Sequence, residues 1–343
     1  MISSRREFLC FLAAACTGCA GSPAGERWTA SRLERADALA KRYGGKGWVA
    51  WKGGRQVAAW NPETRDQSLS LTKCLAALAA TKAMEEGWLS DQERAAAAIP
   101  EWQGDPRKMR ITVSMLLQQT AGLEAGVAAL YRNPDDKGRA AVALRAVDEP
   151  GTVFRYGPAS WEFLAELMRR KLSGRGETLE KFLHRAVMRP IGLSSPDWRS
   201  DKKGRFFLST GAEMTVSDLG RLGRTVGALL RGENTAGFDA AHFARMTRPS
   251  AVNPIFGGGI WRNSNAGSPG AHVIEVEDAL DPPRPAGFWQ WACLSRDQPS
   301  GMVALVGSSG RRVFIWPGED KVVARLGRAS SWRDGPFLAA LGR

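Results

Sequence analysis

The sequence predicts an α+β fold: one antiparallel sheet built from both ends of the chain, flanked by helices, with a mainly helical region inserted. Three observations carry this expectation. β-Rich runs cluster near the two ends of the chain. The middle repeats apolar residues at helical spacing. The 343 residues, 43% of them hydrophobic, supply the apolar side chains of a large core.

Taken in order, WTASRLERADALAKRYGG reads as a helix capped near Thr29 to Ser31 and stopped by its glycines. GWVAWKGGRQVAAWN reads as two short strands turning at Gly53-Gly54. In SLSLTKCLAALAATKAMEEG, Leu71, Leu75 and Leu78 fall at i, i+4 and i+7, and Gly87 is a stop signal. Helical spacing recurs in TVSMLLQQTAGL (112–123), ASWEFLAELMRRKL (159–172), TLEKFLHRAV (178–187) and TVSDLGRLGRTVGALLRG (215–232). The last opens with Thr215 and carries Asp218 three residues on, a capping box with Asp in place of Glu. GMVALVGSS and RRVFIWPGEDKVVARLG read as strands with a turn at Pro317-Gly318, and SWRDGPFLAALG as a closing helix. The expected domain is 28–343, with the helical region at about 85–235.

The formal net charge is +13. Lys and Arg are scattered and form no recognition motif, so the reading is a solvated basic surface with no nucleic-acid partner. The first 22 residues read as an export signal: Arg5-Arg6 is followed by Phe8-Leu9, an apolar stretch and small residues. That stretch is shorter than the roughly 20 residues a bilayer span needs. A twin-arginine signal implies a periplasmic or cell-envelope location. Cys19 is a candidate lipid-attachment site, although Cys16 stands where leucine is usual, and lipidation there would be the one membrane link. Of the other cysteines, Cys74 and Cys293 sit in apolar stretches and read as buried free thiols.

The chemistry centres on Ser70 and Lys73. If a helix begins near Ser70, the two side chains lie one turn apart on one face. Burial and the positive helix N-terminus would lower the lysine pKa enough for it to accept the serine proton. Ser-x-x-Lys alone is a weak signal, because about one per chain of this length arises by chance. A second copy stands here at Ser200 to Lys203, in a polar stretch. The apolar helix after Lys73 favours the first pair.

Ser70-Leu71-Thr72-Lys73, followed by Tyr156 in PGTVFRYGPASWEFL, resembles the serine β-lactamase and penicillin-binding-protein superfamily in its class C-like branch. That branch includes esterases, D-aminopeptidases and 6-aminohexanoate-oligomer hydrolases. The likeness runs from about residue 45 to residue 328 through RITVSMLLQQTAGL, VMRPIGLSSPDW, STGAEMTVSDLGRLG and GSSGRRVFIWPGEDKVVARLG. It implies a three-layer αβα, DD-peptidase-like fold with no cofactor. It also implies Ser70 as the acylated nucleophile, Lys73 as its base, Tyr156 as the proton shuttle, and the backbone N–H groups of Ser70 and Ser308 as an oxyanion hole. Gly307, Ser309, Pro158 and Arg311 become candidate substrate contacts.

Two departures bear on substrate. Where the branch's β-lactamases have Tyr-x-Asn, this chain has Tyr156-Gly157-Pro158, and proline offers no side-chain amide. Where they have Lys-Thr-Gly or His-x-Gly, it has Leu305-Val306-Gly307, so the cation that meets a β-lactam carboxylate is gone. Arg311 or Arg312 could replace it, but the favoured reading of both is exposed sheet-edge arginines. NPIFGGGIWRN (253–263) resembles the oligomer-hydrolase segment before the last strands. The expectation is therefore an esterase or amidase. A β-lactamase or DD-carboxypeptidase is the alternative, and a non-catalytic cell-wall binder the second alternative. His184, His242 and His272 stand far apart, without a nucleophile elbow or paired metal ligands, so a Ser-His-Asp triad and a metal site are not expected.

Overall fold

The computed structural model describes residues 28–132, 135–194, 197–280 and 284–342. The segment read as an export signal, with Cys19, lies outside them. No helix among the described residues is long and apolar enough to cross a membrane.

Helix α1 (Ala30–Arg42) starts at Thr29, whose hydroxyl accepts from the Arg32 N–H. It leads into the hairpin β1 (Gly45–Lys52) and β2 (Arg55–Trp60). Gly53 and Gly54, with φ of 55° and 73°, make the tight turn that side chains rarely adopt. The Ser70 segment follows as a short 3₁₀ turn, Leu69–Leu71, and helix α2 (Thr72–Glu85). Alanine at five of its positions, together with Leu75, Leu78 and Cys74, lets α2 run through the interior with nearly every side chain buried.

The sheet is completed by β3 (Phe256–Gly257), β4 (Ile260–Arg262), β5 (Val303–Gly307), β6 (Arg311–Trp316) and β7 (Lys321–Gly327). Its seven strands run β2-β1-β7-β6-β5-β4-β3, and every neighbouring pair is antiparallel. The two chain ends meet at β1–β7, where Val49 faces Ala324 and Ala50 faces Val323. The β3–β4 hairpin was not anticipated. Its signal was present, since Gly258 and Gly259 between apolar residues take φ of 60° and 79°.

Helices cover both faces. On one, α1 packs with the closing helix, here α3 (Asp334–Leu341): Trp48 of β1 meets Phe337 edge-on at 6.4 Å and donates its indole N–H to Asp37 at 2.9 Å. On the other lies α4 (Val216–Leu230), capped by Thr215 and Asp218 as expected. It sits close because glycines face the sheet: a Cβ on Gly223 would stand 2.6 Å from a Val322 methyl and 2.7 Å from one of Val313.

Two expectations need correction. The helix expected over 112–123 is only Val113–Leu117. It stops because Gln119 (φ 55°) and Gly122 (φ 74°) turn the chain back on itself. Arg311 and Arg312 are not exposed edge residues. β6 is the central strand of the seven, and both side chains are buried. Cys74 and Cys293 are buried free thiols.

Candidate active site

Ser70 sits in the 3₁₀ turn just ahead of α2, and Lys73 is in that helix's first turn. The turn is tied from below. Ser68 donates both its N–H and its hydroxyl to the Ala212 carbonyl, and Thr72 Oγ1 accepts from the Ala212 N–H. Leu69, immediately before the serine, is held at φ 47°, a left-handed conformation that costs a leucine on the order of 1 kcal/mol. This strain lifts Ser70 to the mouth of a cavity while Lys73 stays 1% exposed beneath it.

Lys73 Nζ lies 2.8 Å from Ser70 Oγ and donates to the Ser209 carbonyl at 2.9 Å. Burial lowers its pKa to about 7, against the opposing pull of the Glu162 carboxylate. Glu162 is itself buried and accepts from the Ser209 N–H (2.9 Å) and hydroxyl (2.5 Å). It thereby orients the carbonyl that holds Lys73. Proline at 158 has no amide for the lysine, and the Ser209 carbonyl takes up the ammonium donor instead. Pro158 is the cap residue of helix α5 (Ala159–Ser173, which precedes α4 in the chain), and its carbonyl accepts from Trp161 and Glu162.

Tyr156 enters from the loop before α5. Its ring centroid is 5.0 Å from Lys73 Nζ and it packs against Phe256 and Trp261 at 6.0 and 6.1 Å. The shortened 113–117 helix explains its placement. The chain turns at Gln119, whose carbonyl accepts from the Arg155 N–H at 2.9 Å and whose side chain accepts from the Gly157 N–H at 2.8 Å. Tyr156 is clamped from both sides. Burial raises the phenol to about 12, partly offset by the Ser70 hydroxyl, so it keeps its proton at neutral pH. Of the two groups beside Ser70, Lys73 is the one whose pKa lies near neutrality.

Ser308 follows Gly307 in the β5–β6 turn and lines the same cavity as Ser70. A Cβ on Gly307 would lie 2.8 Å from the Ser68 carbonyl, so glycine lets β5 close on the Ser70 turn. Glu277 holds the turn by accepting from the N–H groups of Ser309 and Gly310, at 3.0 and 3.3 Å. Ser309 is therefore anchored to Glu277 by its backbone, and it is Ser308 that reaches the cavity. Arg311 is committed elsewhere: its guanidinium donates to the carbonyls of Gln67 (2.5 Å) and Ser308 (3.0 Å) and to Asp66 (3.3 Å). It supplies no free cation. Leu305 is fully buried on the sheet face shared with Gly307, so an apolar side chain stands at the motif position.

The second Ser-x-x-Lys separates cleanly. Ser200 is exposed, and Lys203 pairs at the surface with Asp136 at 2.8 Å. His184 is exposed, and His242 bonds Asp239. Among the described residues no group of three His, Cys, Asp or Glu is placed to hold a metal ion.

Glu162, Ser209 and Lys137 escaped the reading of the sequence. Glu162 had a signal: a carboxylate between Trp161 and Phe163 on a buried helix must find partners. Ser209 acts through its backbone, which no side-chain pattern reveals.

The beta-lactamase family model matches residues 28–324. No curated protein matches the sequence. Solved structures share the fold at low identity. EstCE1, a hydrolase with promiscuous acyltransferase activity, matches at 18% identity and a TM-score of 0.66, covering 91% of this chain and 97% of that one. A Bacillus anthracis protein assigned as a 6-aminohexanoate-dimer hydrolase matches at 16% and 0.65, covering 89% and 78%. A beta-lactamase from Mycobacterium bovis matches at 22% and 0.57, covering 89% and 94%. With the family model spanning nearly the whole described chain, this protein belongs to the beta-lactamase family.

Proposed function

We propose that the protein is an exported serine hydrolase that forms an acyl-enzyme on Ser70 and acts as a carboxylesterase or amidase. The observation that carries the reading is the buried Lys73 amine, 2.8 Å from Ser70 Oγ, with its pKa brought to about 7. Ser70 Oγ bonds to the substrate carbonyl carbon as its proton passes to neutral Lys73. The N–H groups of Ser70 and Ser308 receive the oxyanion. The C–O or C–N bond then breaks, and the departing alcohol or amine takes a proton through Tyr156. Water adds to the acyl carbon, gives up its proton through the same groups, and the Ser70 C–O bond breaks to release the acid.

Leu305 and Pro158 favour ester or amide substrates over β-lactams, because neither supplies the cation or amide that seats a β-lactam. Export rests on the Arg5-Arg6 signal alone. A fluorophosphonate probe is expected to label the wild type and not Ser70→Ala. Equal labelling of both, or of neither, overturns the acyl-enzyme. Turnover of p-nitrophenyl butyrate is expected to exceed that of nitrocefin. Rapid nitrocefin hydrolysis with negligible ester hydrolysis would reverse the substrate reading.

A further inference from the structure

We propose that Lys137 forms an anion subsite beside Ser70 that selects substrates whose acyl chain carries a carboxylate. This rests on the serine-hydrolase reading and extends it to a substrate class.

Two cavities adjoin the reacting groups. One, of about 280 Å³, is lined by Phe154, Arg155, Tyr156 and Trp289. The other, of about 240 Å³, is lined by Ser70, Ser308, Leu69, Thr210, Phe207 and Lys137, with Tyr131 and Arg199 beside them. The leaving group takes its proton through Tyr156, so it departs toward the first cavity. The second, which holds the nucleophile and the Ser308 turn but not Tyr156, receives the acyl chain.

Lys137 is the first residue of the short helix Lys137–Ala143, and its backbone N–H is pinned to Asp201 at 3.0 Å. The side chain is 2% exposed, yet its ammonium makes no hydrogen bond. Its nearest counter-charge is Glu162 at 3.9 Å, whose carboxylate is already engaged with Ser209. The ammonium otherwise rests on the Phe207 ring, 3.0 Å from the centroid. A buried ammonium with three unused donors is costly, and an incoming carboxylate would satisfy it. Arg199, exposed at the rim with its guanidinium 5.8 Å from the Phe207 ring, adds a second positive charge. Burial also lowers the Lys137 pKa, to about 8, and a bound carboxylate would raise it again.

The test compares p-nitrophenyl monoesters of glutarate and adipate with neutral p-nitrophenyl pentanoate. The wild type is expected to favour an anionic ester by at least about tenfold in kcat/KM, the range a charged hydrogen bond supplies. Lys137→Met is expected to collapse that ratio. Titration of Ser70→Ala, which cannot be acylated, with monomethyl glutarate and monomethyl adipate gives an independent readout. Binding is expected to exceed that of methyl pentanoate and to be lost in Ser70→Ala/Lys137→Met. Ser70-dependent turnover without an anionic preference, or a preference untouched by Lys137→Met, overturns the subsite and leaves the hydrolase reading standing. Lys137-dependent binding without any Ser70-dependent turnover overturns the hydrolase reading and leaves the subsite. Loss of both overturns both.

Discussion

Lys73→Met is expected to lower kcat/KM for a Ser70-dependent ester by roughly 10²–10⁴-fold, the usual worth of a positioned general base. The methionine fills the same buried space but cannot accept the serine proton. Lys73→Arg should not rescue it, because a guanidinium with a pKa above about 12 stays charged. The pH profile gives the sign. Lys73 must be neutral to act, so wild-type kcat/KM should rise as pH increases through about 7 and fade below it. Tyr156, raised to about 12, must be protonated to feed the leaving group, so no alkaline fall is expected within an ordinary assay range. Glu162→Gln removes the charge that supports protonated Lys73, and the acidic limb should move to lower pH. An unchanged rate in Lys73→Met, or a limb that moves upward in Glu162→Gln, would refute the assignment.

Asp334→Ala is expected to cost about 3–5 kcal/mol of stability, the scale for stripping one partner from a buried ion pair. Arg312 crosses the sheet interior and bonds both Asp334 oxygens from Nε, at 2.8 and 3.0 Å. Its other nitrogens reach Glu277 at 2.9 Å and the Gly307 carbonyl at 2.7 Å. Asp334 also accepts the Trp332 indole N–H at 2.6 Å. Removing it leaves a guanidinium 1% exposed with one remaining carboxylate, and an indole without its acceptor. The urea midpoint should fall with little change in slope. Because Arg312 and Glu277 also hold the Gly307–Gly310 turn, residual activity should fall as well. A loss below about 1 kcal/mol would show that the network is dispensable.

The site was legible where chemistry is written in side-chain spacing, and obscure where it is written in backbone. Ser70, Lys73 and Tyr156 could be singled out because their order and the apolar helix after Lys73 form a pattern, and the fold brings the three side chains together. The Ser209 carbonyl could not, since any residue type carries one. Arg311 and Arg312 were misplaced because two adjacent arginines at the start of a strand look the same on an edge strand and on a central one. The sheet order and the counter-charges Asp66, Glu277 and Asp334, all from other segments, show that both are interior. The helix expected over 112–123 failed for a related reason. Its apolar period continues, but Gln119 is drawn out of the helix to clamp the Tyr156 loop, a tertiary gain that outweighs local propensity.

By itself the sequence determined the architecture. Strand patterns at the two ends, capped helices between them and glycine turns such as Gly53-Gly54 lead to one outcome, because period and capping are local properties of the chain. Tertiary structure alone decided which Ser-x-x-Lys is buried, and burial brings the Lys73 pKa down to about 7 while Lys203 pairs with Asp136 at the surface. It also decided what surrounds Ser70. Glu162, Lys137 and Phe207 come from separate segments, and desolvation and Coulomb interaction depend on distances that spacing along the chain does not record.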